Sequence, residues 1–231
     1  MSAVDQGTAA PDVVVEELLD RRFSCRAFLD RAVDRATIAR VLRLAQRSPS
    51  WCNVQPWQVI VTEGEATERL RAAATSFVAT NGPQPDVPFP PRYDGVHQER
   101  RRECGWQLYE SVGVEKGDRA ASAIQVAKNF EFFGAPHVAI ITTERVLGTY
   151  GAIDCGVYLG CFLLAAQSMG LASIPQAALG AVAPVIREQF RLPDERQVLF
   201  GVSFGYADKQ HPVNGFRTRR AELDDVAYFA S

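Results

Sequence analysis

Arg21-Arg22-Phe23-Ser24-Cys25-Arg26-Ala27-Phe28 places three guanidiniums and a hydroxyl within six residues, between a helical pattern and a loop. A planar guanidinium matches phosphate oxygens bidentately, and the Ser24 hydroxyl adds a donor for the same oxygens. Taken alone, the run reads equally well as a solvated basic turn. A second cluster, Phe216-Arg217-Thr218-Arg219-Arg220, stands near the C-terminus. Two remote clusters that converge on one anion account for both, so the phosphate reading is favoured. The chain reads first as the holder of a cofactor.

The bulk numbers narrow the alternatives. A chain of 231 residues with 47% hydrophobic and 23% charged content is ordinary for a globular protein with a proper core, and we expect a single domain over 1–231. The net charge of −2 gives no basic excess, so neither nucleic acid nor an anionic membrane surface is expected as a partner. Five cysteines without a C-x-x-C pair argue against a disulfide framework, and three scattered histidines share no ligand spacing, so no metal site is expected. The first residues lack a basic and an apolar region in sequence, and no stretch reaches the roughly 18 uninterrupted apolar residues of a membrane span. The expected location is cytoplasmic.

Along the chain, residues 1–12 are expected to be flexible and residues 13–21 to form a short helix. Asp34 reads as the N-cap of a helix carrying Ile38, Val41, Leu42 and Ala45 at helical spacing, ended by Pro49. Residues 57–61 alternate and are β-branched, which predicts a strand, and 65–79 predict a helix. Residues 81–94 carry five prolines and form the long structureless segment, of the kind that is usually functional or mobile. Helices are predicted over 97–109, 118–133, 151–169 and 184–190, and strands over 137–143 and 197–204. The helix over 151–169 is apolar on nearly every side, which suits a core or a subunit interface. The tail 208–231 has little periodicity and is expected to wrap over something. Many helices and few strands make the class α+β or mixed α/β.

No Rossmann glycine fingerprint, P-loop, nucleophile elbow or H-E-x-x-H motif is present, and nothing offers a convincing nucleophile or general base. The chemistry therefore belongs to a bound cofactor. Ser48-Pro49-Ser50-Trp51-Cys52-Asn53-Val54-Gln55-Pro56-Trp57 offers amides and hydroxyls for a polyol or heterocycle edge, or else is a plain turn before a strand. In Ser173-Ile174-Pro175-Gln176-Ala177-Ala178-Leu179-Gly180, small residues around Gln176 let backbone approach a planar ligand; a core turn is the competing reading. Gly201-Val202-Ser203-Phe204-Gly205-Tyr206-Ala207-Asp208 leads through Asn214 to the second arginine cluster.

The order and spacing of these four motifs resemble the FMN-dependent nitroreductase family, over about residues 13–220. Residues 83–91, Arg100-Arg101-Arg102 and Asn129-Phe130-Glu131-Phe132-Phe133-Gly134 resemble its branch with an extended active-site loop, which includes reductases of nitrobenzoates and nitro drugs. The resemblance implies a three-layer α/β/α fold with a central mixed sheet, in an intertwined homodimer with two FMN sites at the interface. It implies an excursion over 81–117 near the active site and a tail over 208–231. Arg22, Ser24 and Arg26 then hold the phosphate, Phe23 makes a main-chain or apolar contact, and Arg217 and Arg219 complete the clamp. Pro49, Ser50, Trp51 and Asn53 reach the flavin of the other subunit. Pro175, Gln176 and Ala177 lie along the isoalloxazine, with a backbone N–H near N5. Many family members carry Glu-Gly where this chain has Gln176-Ala177, which removes a carboxylate from the flavin edge. The implied activity is ping-pong hydride transfer from NAD(P)H to a nitroaromatic or quinone-like acceptor. FMN carries the hydride, so no side chain is assigned as catalytic. Trp51, Phe132 and Phe133 are assigned as walls of the substrate slot, with core packing as the competing reading for each. Other reactions on the same fold (enone reduction, dehalogenation, oxidation) and a flavin-binding protein without NAD(P)H turnover remain the alternatives.

Overall fold

The computed structural model describes residues 10–230. Among them, helices α1 (Pro11–Arg21), α2 (Arg35–Ala45), α3 (Glu65–Thr80), α4 (Gly95–Ser111), α5 (Arg119–Ala127), α6 (Gly148–Ser168) and α7 (Ala183–Phe190) surround strands β1 (Gln58–Val61), β2 (His137–Glu144), β3 (Ala172–Gln176) and β4 (Arg196–Gly205). The strands form one sheet in the order β1-β2-β4-β3. Residues 1–9 of the expected flexible segment lie outside the described residues, and Pro11 and Asp12 open α1.

Alternation along β2 fixes the three layers, because side chains of a strand point to opposite faces in turn. Val138 and Ile140 pack with Leu70 and Ala74 of α3 and Ala183 and Ile186 of α7. Ala139 and Ile141 pack with Ile38 and Val41 of α2 and Tyr158 and Phe162 of α6. Both faces being covered, every residue of β2 except Glu144 is buried. In β4, Val198 belongs to the α3/α7 core while Val202 and Phe204 belong to the α2/α6 core. Their even spacing would place them on one face. The register jumps from Ile141↔Phe200 to Thr142↔Val198, so one extra residue in β4 turns the strand over at that point.

All three ladders are antiparallel. The sheet expected to be mixed is so only through a parallel bridge between Ser24 and Ser173 at the outer edge of β3, supported by Cys25 N–H donating to the Ser173 carbonyl at 3.1 Å. An antiparallel bridge joins Phe28 to Ala207. The arginine-rich segment is thereby laid along the sheet edge.

Most elements match their predicted spans within a few residues, with two exceptions. Helix α5 ends at Ala127 rather than near 133, because Phe132 is fully buried in the α3/α7 core and reaches it only through a turn with φ of 57° at Phe132 and 54° at Phe133. Strand β3 falls where a core turn was expected. Its Ala-Ser-Ile-Pro-Gln sequence has weak strand character, and Pro175 is tolerated because β3 is an edge strand. The segment from Arg145 to Ser168 is long and apolar enough to cross a bilayer by length and composition. In the fold, however, Gly151, Cys155, Tyr158, Phe162, Leu163, Ala165 and Ala166 of α6 are buried.

The proline-rich segment 81–94 is tied down rather than loose. Asp86 accepts Arg145 Nη2 at 2.6 Å, Arg187 Nη2 at 2.7 Å and the Val198 N–H at 2.7 Å, and Gln84 N–H donates to the Ala181 carbonyl. By contrast, no residue of α4 or α5 is buried, so the excursion is held loosely beside the site. Asp86→Ala removes the carboxylate shared by two guanidiniums and the acceptor of a strand N–H, leaving Arg145 and Arg187 only their bonds to backbone carbonyls. It is expected to cost about 3 kcal/mol of unfolding free energy in a denaturant titration, and a loss below about 0.5 kcal/mol would contradict this anchoring role.

Candidate functional site

Residues 22–28 run extended from the C-terminal end of α1, so alternate side chains part company. Cys25 and Ala27 go into the protein, while Ser24 and Arg26 face outward onto a cavity. Burial pushes the Cys25 thiol up to about 11, and a thiol so placed is inert. The returning tail meets this segment through Asn214. Its Oδ1 accepts the Arg26 N–H at 2.8 Å, and its Nδ2 donates to the carbonyls of Ala27 and Asp208, each at 2.8 Å. The Asn214 carbonyl accepts Arg217 Nη1 at 2.8 Å. One buried amide thus joins both arginine clusters.

The cavity so formed measures about 550 Å³ and is lined by Arg22, Arg26, Arg217 and Arg220 together with Phe23 and Ser24. The Arg217 guanidinium lies 4.0 Å from the centroid of the Phe23 ring, and that of Arg26 lies 5.5 Å from the Phe216 ring. Aromatic faces hold both side chains in place without neutralising them. Desolvation, and then the charge of Arg220, lower the pKa of Arg22. Desolvation also lowers that of Arg26, opposed by the nearby Cys104 and Cys25 thiols. Among the described residues, none of the four arginines has a carboxylate within ion-pair distance (4.0 Å), although Asp20 contributes to the lining. Cations held together in this way suit a dianion.

Arg26 also lines a second, narrower cavity of about 200 Å³, with Tyr109, Gln125, Asn129, Phe133, Pro175, Gln176 and Ala177. Arg26 is thus common to the linings of both cavities. A short 3-10 turn (Ala177–Val182) begins directly after β3, and the first N–H groups of such a turn have no partner within it.

Not every residue singled out in the sequence comes to this place. Arg219 turns away, donating to Glu103 at 2.8 Å, and lines a neighbouring groove; Arg220 stands in the cavity instead. Phe132 is fully buried and belongs to the core, so it provides no slot wall, whereas Phe133 lines the narrow cavity. Pro49, Ser50, Trp51 and Asn53 lie apart from both cavities of their own chain. There the Trp51 ring packs at 4.6 Å on Tyr150, the Trp51 backbone N–H donates to the Asp154 carboxylate of α6, and the Ser50 hydroxyl accepts the Gln55 backbone N–H. Asn214, Asn129, Tyr109 and Cys104 were not singled out as ligands by sequence. Their signals were indirect: Asn214 stands in the run leading to the second arginine cluster, Asn129 opens the 129–134 motif, and Cys104 and Tyr109 fall in the 81–117 excursion.

The sequence profile of the Nitroreductase family matches residues 19–206, and the chain belongs to that family. It is 35% identical over 216 residues to nitroreductase NfnB of Mycolicibacterium smegmatis, spanning 93% of this chain and 92% of that protein. It is 32% identical over 210 residues to the 4-nitrobenzoate reductase of Pseudomonas putida, spanning 90% of this chain and 92% of that one. The crystal structure of the FMN-dependent nitroreductase NfnB from Mycobacterium smegmatis in complex with NADPH superposes with a TM-score of 0.92 at 34% identity. That match covers 96% of this chain and all of the other.

Cys104 lines the four-arginine cavity, while Cys25 and Cys155 are buried. With the ligand-free protein, maleimide labelling followed by peptide mass spectrometry is expected to modify Cys104 and to spare Cys25 and Cys155. Saturating FMN should slow labelling at Cys104 about tenfold or more, as a well-fitting ligand excludes reagent. An unchanged rate at Cys104 would place the ligand elsewhere.

Proposed function

We propose that this chain is an FMN-dependent NAD(P)H oxidoreductase that reduces nitroaromatic or related electron-poor acceptors and works as a cytoplasmic homodimer. The observation that carries the reading is the position of Arg26, which lines both the arginine cavity and the narrow slot. A ligand with a phosphate at one end and a flat ring at the other would span two cavities that share Arg26. The donor set fits FMN in particular, since a phosphate dianion takes charge-assisted hydrogen bonds from guanidiniums and hydroxyls.

Arg22, Ser24, Arg26 and Arg217 hold the phosphate end, with Arg220 near at hand and Phe23 propping Arg217. Pro175, Gln176 and Ala177 line the narrow cavity and would form one side of the slot for the ring. Bound FMN supplies two-electron hydride chemistry between a reduced nicotinamide and an electron-poor acceptor. The protein's part is to orient both partners and keep water out of the slot, and no side chain is needed as a nucleophile. Tyr109, Asn129 and Phe133 on the excursion side border the place where acceptor and nicotinamide take turns.

The homodimer supplies what one copy lacks. The Pro49, Ser50, Trp51 and Asn53 loop is remote from its own cavities, and exposed apolar side chains surround it: Trp51, Val54, Tyr150 and Ile153. Val13, Val14 and Leu19 of α1 and Leu223, Val226, Tyr228 and Phe229 of the tail are exposed as well. A second copy that buries these faces brings its 49–53 loop to the flavin of the first, and the relatives' activities on nitroaromatic substrates support the acceptor class.

Anaerobic addition of NADPH or NADH to the FMN-loaded protein is expected to bleach the flavin, and a nitroarene to restore the colour within one turnover. A flavin that neither nicotinamide bleaches would instead favour a flavin-binding protein without turnover. Arg22→Ala is expected to weaken FMN binding by about 1.5–3 kcal/mol, the worth of a charged hydrogen bond, and Arg217→Ala should weaken it in the same direction. Unchanged affinity in both variants would contradict the two-cluster clamp.

A further inference from the structure

A buried polar chain at the slot has no part in the arginine cavity. Ser203 of β4 is fully buried, and its hydroxyl donates to Gln176 Oε1. Gln176, only 2% exposed at the end of β3, donates from Nε2 to the Asn129 carbonyl at 2.8 Å and points the same group at Asn129 Oδ1, 3.4 Å away. The Asn129 carbonyl also accepts the Phe132 N–H at 3.2 Å, while Asn129 Nδ2 donates to the Val126 carbonyl at 3.0 Å. Gln176, Asn129 and Phe133 line the slot; Ser203 does not.

The partners dictate an amide. One end of the side chain accepts from a hydroxyl, and the other donates toward two oxygens of Asn129. A carboxylate would keep the Ser203 bond yet would turn an oxygen toward both oxygens of Asn129 with no proton to offer. A hydrocarbon would leave the Ser203 hydroxyl and one lobe of the Asn129 carbonyl without a partner in a dry place. What the amide holds is the Asn129 end of a turn whose far end is fixed by Phe132, fully buried in the α3/α7 core, and by Arg71, which donates to the carbonyls of Glu131 and Ala135. Residues 128–134 leave α5, make a turn with positive φ at Phe132 and Phe133, and return to β2. The excursion beyond that turn, α4 and α5, has no buried residue to anchor it.

We propose that Gln176 is a positioning residue, whose side-chain amide ties the 129–133 turn to the end of β3 and so sets the gap in which the flavin ring and the acceptor meet. It deepens the FMN reading and rests on it. The Gln176 amide bonds a hydroxyl on β4 and the Asn129 carbonyl at the same time. The dependence is directional. Removing the Asn129 arm frees the roof of the slot, whereas removing the Ser203 arm loosens Gln176 but leaves it able to hold Asn129.

The test uses the FMN-loaded protein and two variants, Gln176→Glu, which keeps only the Ser203 arm, and Ser203→Ala, which keeps only the Asn129 arm. For each, the FMN dissociation constant, the visible spectrum of the bound flavin, KM and kcat for a nitroarene, and the melting temperature are measured. Gln176→Glu is expected to raise the acceptor KM about tenfold, the loss of one buried hydrogen bond, and to shift the flavin spectrum. Its FMN affinity should change less than about threefold, because the arginine cavity is untouched. Ser203→Ala should move KM the same way by about threefold. If the melting temperature alone falls, with KM and spectrum unchanged in both variants, Gln176 merely supports the fold and the proposal is overturned. Should Gln176→Glu fail to fold, Ser203→Ala decides in the same terms. A wild-type protein that binds no FMN overturns the cofactor reading first, and that outcome is recognised before any substitution is made.

Discussion

The bonds of Asn214 to Arg26 and Ala27 close the longest loop in the site, joining residues 188 and 187 positions apart. Closing a loop that long carries a large entropic cost, and only a few well-made bonds in a dry setting hold it. Asn214 is 6% exposed and satisfies three backbone groups with one side chain, while its own carbonyl fixes Arg217. The Phe28–Ala207 bridge already brings the start of the tail beside the first cluster, and the Asn214 bonds fix the residues from there to Arg217, which turns the two arginine clusters toward each other. They then form one cavity in which cations are crowded, partly desolvated and without acidic partners. Such an arrangement stores repulsion that a dianion relieves.

The sheet edge gives that closure its direction. The bridge of Ser24 to Ser173 lays the first cluster beside β3, and the bridge of Phe28 to Ala207 brings the end of β4 to the same segment. The strand that ends in Pro175 and Gln176 therefore starts the narrow cavity close to the arginine cluster of the first segment. Arg26 stands at the junction. Rigid and loose parts are sorted accordingly: the cradle and β3 sit on the sheet, whereas the excursion α4–α5 is held mainly by contacts at its edges. A slot with one fixed and one adjustable side suits an enzyme that must admit two unlike partners in turn.

Much of this was legible in the sequence. The Arg21–Phe28 run and the small residues around Gln176 named stretches that line the two cavities, and the Asp34 cap with the periodicity after it named α2, whereas the loop at 49–57 lies apart from both cavities. What stayed hidden depended on distance. Nothing near Asn214 reveals a partner at Arg26, and nothing in Arg217-Thr218-Arg219-Arg220 says which arginine turns outward; Glu103, far away in sequence, takes Arg219. Phe132 and Phe133 look alike on paper. Only the turn at the end of α5 sends one into the core and leaves the other on the slot. The flip between Val198 and Val202 was equally invisible, because a single bulged residue leaves no mark in composition.

We infer that the closed arginine cavity recognises the phosphate of FMN. Calorimetric titration of the ligand-free protein with FMN and, in parallel, with riboflavin, which has the same ring and no phosphate, tests it most directly. We predict that FMN binds at least about a hundredfold more tightly, as expected for two or more charge-assisted hydrogen bonds, and that added salt narrows the gap. Equal affinity for the two flavins would contradict the account.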